Sequence, residues 1–173
     1  MRPSLELEVI DELARSVLAR YNFSREDFRE RPGRCILLQR LILEAQHRRE
    51  MAADTKAVLI SDRSGVDPLV YASLFAKHQH AEDLSSSACW HELKGRMQEA
   101  TVVVCEPVSD WLMDDGIRLM PTDTQEWEIV HQMFCQLLES NEIPYVALPP
   151  TLLSLSARTD LVLELWRAGG DQR

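Results

Sequence analysis

The chain has 173 residues, 45% of them hydrophobic and 27% charged, which excludes global disorder and suits one domain at the usual ~100–200 residues each. Nineteen Lys plus Arg against 28 Asp plus Glu leave a net charge of −9, which works against nucleic-acid and anionic-membrane partners. Cys35, Cys89, Cys105 and Cys135 show no C-x-x-C pair, so neither a zinc ribbon nor a redox dithiol is indicated, and reduced thiols in a cytoplasmic protein are expected.

The N-terminal residues lack the apolar core of a signal peptide, and no run approaches the ~18 apolar residues of a membrane span. Leu5-Glu6-Leu7-Glu8-Val9-Ile10 alternates apolar and acidic residues, which predicts a strand at a sheet edge with one wet face. Leu13, Val17 and Leu18 form one stripe of a helix over 12–19. Ser24 followed by Asp27 reads as the cap of a short second helix. A long helix is expected over 35–53, with Leu38, Leu41, Ile42 and Ala45 on its apolar side. Ala57-Val58-Leu59-Ile60 and Thr101-Val102-Val103-Val104-Cys105 have the continuous apolar character of strands buried on both faces, and 145–148 is a weaker third case. Helices are expected over 66–77, 84–98, 124–139 and 152–168, with the scattered tryptophans packing among them and their indole N–H groups near solvent. Strand and helix alternate, so the fold class is α/β with a parallel sheet and helices on both faces. Residues 1–173 read as one domain with a polar tail at 169–173.

In open parallel sheets ligands bind beyond the carboxyl ends of the strands. The first strand is followed by Asp11-Glu12 with Arg15 one turn on, the second by Asp62-Arg63-Ser64-Gly65, and the third by Glu106-Pro107. Asp62 has the position of an acid that holds the magnesium of a nucleotide, or of a solvated turn residue. Arg63 can clamp a phosphate, or pair with Asp62 or Asp67. Asp114-Asp115-Gly116-Ile117-Arg118 lies in a polar segment, either a lid bringing Arg118 to a phosphate or an exposed turn. The histidines at 78, 80 and 91 lack the spacing of a buried metal site.

The order Glu12-x-x-Arg15, Asp62-Arg63-Ser64 leading to Asp67-x-x-x-Tyr71, then Asp115-Gly116-x-Arg118 resembles the NadR-like AAA domain, a P-loop family of nucleoside-kinase type, from about Leu5 to Trp166. The resemblance implies a three-layer parallel sheet of the P-loop kinase type, with five strands in the order 2-3-1-4-5. It implies ATP and magnesium as cofactors and a small-molecule nucleotide as partner. It also implies roles: Asp62 as magnesium ligand or catalytic acid, Glu12 as substrate contact or general base, and Arg63, Arg15 and Arg118 as phosphate or substrate contacts.

The family opens with a strand and a G-x-x-x-x-G-K-[ST] loop whose backbone N–H groups and lysine hold phosphates. These 173 residues contain no such loop, and the first strand here matches the family's second. The expectation is an N-terminally truncated domain whose central first strand is missing. The strands around Val58 and Val103 must then pair with each other, leave a gap, or accept a strand from elsewhere. An ancestral P-loop kinase or ATPase, inactive as this chain, is the leading reading. A non-catalytic binding or regulatory module that keeps the acidic sheet-end cleft is the second, and a small-molecule enzyme using Asp62, Glu12 and Arg63 without a phosphate loop is the third.

Overall fold

The structure, a computed structural model, describes residues 6–54, 57–76, 78–108, 111 and 121–170. These form, in chain order, β1 (Leu7–Ile10), α1 (Leu13–Tyr21), α2 (Arg25–Arg29), α3 (Pro32–Met51), β2 (Val58–Ser61), α4 (Val66–Phe75), α5 (His78–Ser85), α6 (Ala88–Glu99), β3 (Val102–Cys105), α7 (Thr124–Ser140), β4 (Tyr145–Leu148) and α8 (Leu155–Gly170). The alternation is that of an α/β fold. No helix among the described residues is long and apolar enough to cross a membrane.

The chain divides into two compact units, one formed by the described residues up to Leu93 and the other by those from Lys94 on. Each holds a two-stranded parallel sheet. In the first, β1 pairs with β2 in a register that sets Leu7 beside Val58 and Ile10 beside Ser61. In the second, β3 pairs with β4, from Val102 beside Tyr145 to Cys105 beside Leu148. Among the described residues the four strands form these two pairs.

Two strands cannot bury each other, and the burial expected for the apolar runs is corrected accordingly. Ile60 is 51% exposed and Ser61 is exposed, while Val58 and Leu59 are half-buried. β3 is half-buried, and Cys105 at its end is exposed. The wet face of β1 is also the opposite of the one its alternation suggests. Leu7 and Val9 are 56% and 49% exposed, whereas Glu8 is half-buried and Ile10 is buried. The reason is α3: its Arg49 binds Glu8 at 2.5 Å, and Gln46 donates to Ser61 Oγ at 2.8 Å, so the helix covers the face that carries Glu8, Ile10 and Ser61.

In the first unit α3 packs against α1, α2 and α4. Its core gathers Val17, Phe28, Cys35 and Leu38, with Phe28 edge-on to Tyr71 at 5.6 Å and tilted against Phe75 at 5.0 Å. α1 stops at Asn22, whose left-handed backbone (φ 52°) directs its N–H to Leu18 O and returns the chain toward Phe23. The expected cap of α2 is present as a reciprocal box: Asp27 N donates to Ser24 Oγ at 3.3 Å and Ser24 N to Asp27 Oδ2 at 3.2 Å. Asp27 also binds Arg34 at 3.0 Å and Arg31 at 2.9 Å.

The single helix expected over 84–98 is two helices. The hydroxyls of Ser85 and Ser86 both donate to Glu82 O, and that of Ser87 to Leu84 O, which closes α5. Ser87 Oγ then accepts from Trp90 N and opens α6. Trp90 itself is 1% exposed, so its indole is core rather than near solvent. In the second unit Asp123 caps α7 by accepting from Glu126 N at 2.8 Å, and Val130, Leu138, Ile143 and Leu148 are buried.

The hydrogen bond from Arg34, the backbone N–H of Ser24 and the bond from Arg31 hold the Asp27 carboxyl down, from 3.8 to about 2. A depressed acid contributes stability above its unfolded value and loses it as pH falls through the folded one. The stability difference between the parent and Asp27→Asn, followed by urea unfolding, should therefore be full above about pH 5 and shrink from about pH 4 toward pH 2. A difference that does not vary with pH would contradict this account.

Candidate functional site

The site is built where β1 and β2 end. Asp62 N donates to Ile10 O at 2.8 Å, which extends the parallel ladder one residue past β2. Arg63 then takes a positive φ of 89°, a conformation that costs a non-glycine residue ~1–3 kcal/mol and survives only where its surroundings over-determine it. Four residues on, Asp67 receives the chain: Ser64 N and Ser64 Oγ donate to Asp67 Oδ2 at 2.9 and 3.1 Å, and Val66 N donates to Ser64 Oγ at 3.3 Å. This local knot starts α4. Gly65 sits inside it, where a Cβ would stand 2.9 Å from Leu93 Cδ1.

The turned Arg63 reaches both ways. Its Nη1 donates to Asp67 Oδ1 at 3.3 Å, and its Nε lies 3.7 Å from Glu12 Oε1. Glu12 Oε2 in turn accepts from Arg15 Nε at 2.9 Å. The result is a row of alternating charge, Arg15, Glu12, Arg63, Asp67, running from the start of α1 to the first turn of α4. Burial raises the Asp67 carboxyl above its ordinary value, against the opposing pull of Arg63 and Ser64. For Arg63 burial works against the charge, but Asp67, Tyr71, Glu12 and Asp62 outweigh it and hold the guanidinium more firmly cationic.

This row borders a cavity of about 450 Å³ within the first unit, in the size range of small-molecule sites. Its apolar walls include Phe23, Phe28, Leu38, Ile42 and Tyr71, and Gln39 and Gln46 of α3 also line it. The two glutamines are both 1% exposed yet differ in their bonding. Gln46 Nε2 donates to Glu50 Oε1 and Ser61 Oγ, each at 2.8 Å. Gln39 Nε2 has no nitrogen or oxygen acceptor among the described residues. Its neighbour one turn back, Cys35, is a thiol that burial pushes up to about 11, against the opposing effect of a side-chain hydrogen bond with Gln39.

Of the residues predicted from sequence, Glu12, Arg15 and Arg63 come together on the cavity. Asp62 is exposed at the end of β2 and is not among the described lining residues. Arg118 lies outside the described residues. Asp67 and Tyr71 belonged to the motif but carried no role, and Gln39 was missed. The signal for Gln39 was present in the spacing Cys35, Gln39, Leu43, Gln46, Glu50, a buried seam three to four residues apart along α3.

Magnesium and ATP fit this set only in part. Among the described residues no three His, Cys, Asp or Glu side chains gather as a metal site, so Asp62 offers one carboxylate and the remaining coordination would fall to phosphates and water. Arg15 and Arg63 already face carboxylates. A family model described as an AAA domain matches residues 3–154. No curated protein and no solved structure matches the chain.

Removing Arg63 leaves Asp67 a buried carboxylate with Ser64 alone to hold it. Arg63→Met should destabilise the protein by about 1–3 kcal/mol in urea unfolding at pH 7, discounted from the value for a fully buried pair because Arg63 is partly exposed. Adding Asp67→Asn should return part of the loss. The raised Asp67 carboxyl also fixes the sign with pH: the penalty should shrink as pH falls and the acid takes up a proton. A loss that grows on acidification, or no loss at pH 7, would refute the pairing.

Proposed function

The chain belongs to the AAA domain family, whose domains are of the P-loop nucleotide-binding type, and on that premise we propose that it is the acceptor side of a NadR-like kinase site. The observation that carries this reading is the row Arg15, Glu12, Arg63, Asp67 at the carboxyl ends of β1 and β2, bordering a cavity of small-molecule size. The apolar walls take the body of an acceptor. Glu12 faces its hydroxyl and receives the proton, while Arg15 and Arg63 fix the orientation of that carboxylate. Asp62, outside the cavity, is the candidate magnesium ligand, and Arg118 remains the candidate lid arginine. When bound, Mg-ATP supplies the phosphoryl group and the neutralisation of its charge.

The 173 residues carry no phosphate loop, so the chain is proposed to be inactive in phosphoryl transfer by itself. Support for a missing central strand comes from the sheets rather than from the chain ends. The N–H groups of Val58 and Asp62 point to β1, which in a parallel ladder turns those of Leu59 and Ser61 to the other edge of β2. A further parallel strand bearing the phosphate loop would pair there. The second reading, a binding module without catalysis, is favoured by one feature: the cavity and its charged border are assembled with no phosphate loop in the chain.

A ligand at 100 times its dissociation constant adds ~2.7 kcal/mol, several degrees of melting temperature for a chain of this size. Mg-ATP at millimolar concentration should leave the melt unmoved and yield no ADP. A shift of several degrees, or ADP release abolished by Asp62→Asn, would overturn the proposed inactivity. In a chain extended by a strand and a G-x-x-x-x-G-K-[ST] loop, ATP cleavage should appear and depend on Glu12. If it does not appear, the binding-module reading prevails.

A further inference from the structure

The second unit holds a cluster of titratable side chains apart from the cavity and its charged row. His131 and Cys135 stand four residues apart on α7 and so share one face of the helix. Cys135 Sγ lies 3.8 Å from His131 Nε2. From the start of β4, the Tyr145 hydroxyl is hydrogen-bonded to the same sulfur and donates to Glu139 Oε1 at 3.1 Å. The contact with Cys135, burial and the bond to Glu139, in that order, raise the phenol above its ordinary value, so it keeps its proton at neutral pH. His131, Cys135 and Tyr145 are half-buried, neither sealed in the core nor fully hydrated.

The surroundings narrow what this pair can take. None of the 17 residues of α7 is Lys or Arg, while Glu126, Glu128 and Glu139 are acidic. A cation is favoured there and an anion is not. A thiolate and an imidazole suit zinc rather than magnesium or calcium, which seek oxygen donors. The spacing suits zinc as well. Bonds of ~2.3 Å to sulfur and ~2.0 Å to nitrogen in a tetrahedron set the two donors ~3.5 Å apart. A small side-chain rotation takes the observed 3.8 Å to that value.

We infer that His131 and Cys135 form a zinc-binding site, with His131 Nε2 and Cys135 Sγ as its two protein donors and Tyr145, anchored on Glu139, orienting the sulfur. Among the described residues no third His, Cys, Asp or Glu joins them, so water completes the coordination and the site is open. Zinc takes the sulfur as a thiolate, and the thiol proton leaves to solvent.

The test uses the full 173-residue chain, with its thiols kept reduced, titrated with cobalt(II) chloride and then with zinc chloride as competitor. Cobalt bound to a thiolate gives a charge-transfer band in the near ultraviolet, and zinc should remove it. The band should persist in Cys89→Ser/Cys105→Ser and vanish in Cys135→Ser. His131→Gln should weaken zinc by at least ~10-fold, the lower end of what losing even a supporting hydrogen bond costs a metal site. If Cys135→Ser does not fold, NMR of the parent chain makes the same comparison: zinc should shift the ring signals of His131 and leave those of His47 and His80 in place. No cobalt band, a band that survives Cys135→Ser, zinc affinity unchanged by His131→Gln, or a His131 ring that zinc does not move would overturn the site.

Discussion

Arg63 is the residue on which the local structure depends. It follows β2, turns the chain through a backbone conformation that side chains other than glycine rarely adopt, and ties the carboxylate at the start of α1 to the one in the first turn of α4. The strain and the ion pairs explain each other. A positive φ at a bulky residue is retained when something outside the residue fixes it, and here that is two carboxylates on either side of one guanidinium. Asp67 needs the same contact from the other direction, because burial alone works against its charge.

From this junction the unit extends outward in two layers of interaction. Ser64 and Asp67 close the entry to α4, and the helix then places Tyr71 and Phe75 against Phe28 of α2. α2 is held by the Ser24–Asp27 box and by Arg31 and Arg34. The cavity is what these helices leave between their apolar faces and the charged row. Its polarity is thus divided by construction: paired charges along one border, aromatic rings along the walls, and the amide of Gln39 buried among them.

Much of this was legible in the chain. The Ser24–Asp27 spacing names its own cap, and acids followed by arginine after two apolar runs locate Glu12, Arg15 and Arg63, since strand ends are where sheets present ligands. What the pattern could not carry was the surroundings of each strand. A run such as Val58–Leu59–Ile60 is apolar whether or not neighbours cover it, and here β2 has one neighbouring strand and an exposed Ile60. The alternation of β1 marks two faces without saying which one α3 covers, and Arg49 draws Glu8 inward. Gln39 is not legible as a cavity residue because an amide on a helix reads as solvent-facing until its burial is seen.

The central claim is that Arg63 is fixed between Glu12 and Asp67 rather than free in solvent. Nitrogen-detected NMR of the arginine side chains tests it most directly, because a guanidinium held on both sides cannot rotate quickly about its Nε–Cζ bond. The account predicts separate Nη signals for Arg63 at ambient temperature that merge when Asp67 is replaced by Ala. A single averaged Nη signal in the parent protein, like that of an exposed arginine, would contradict it.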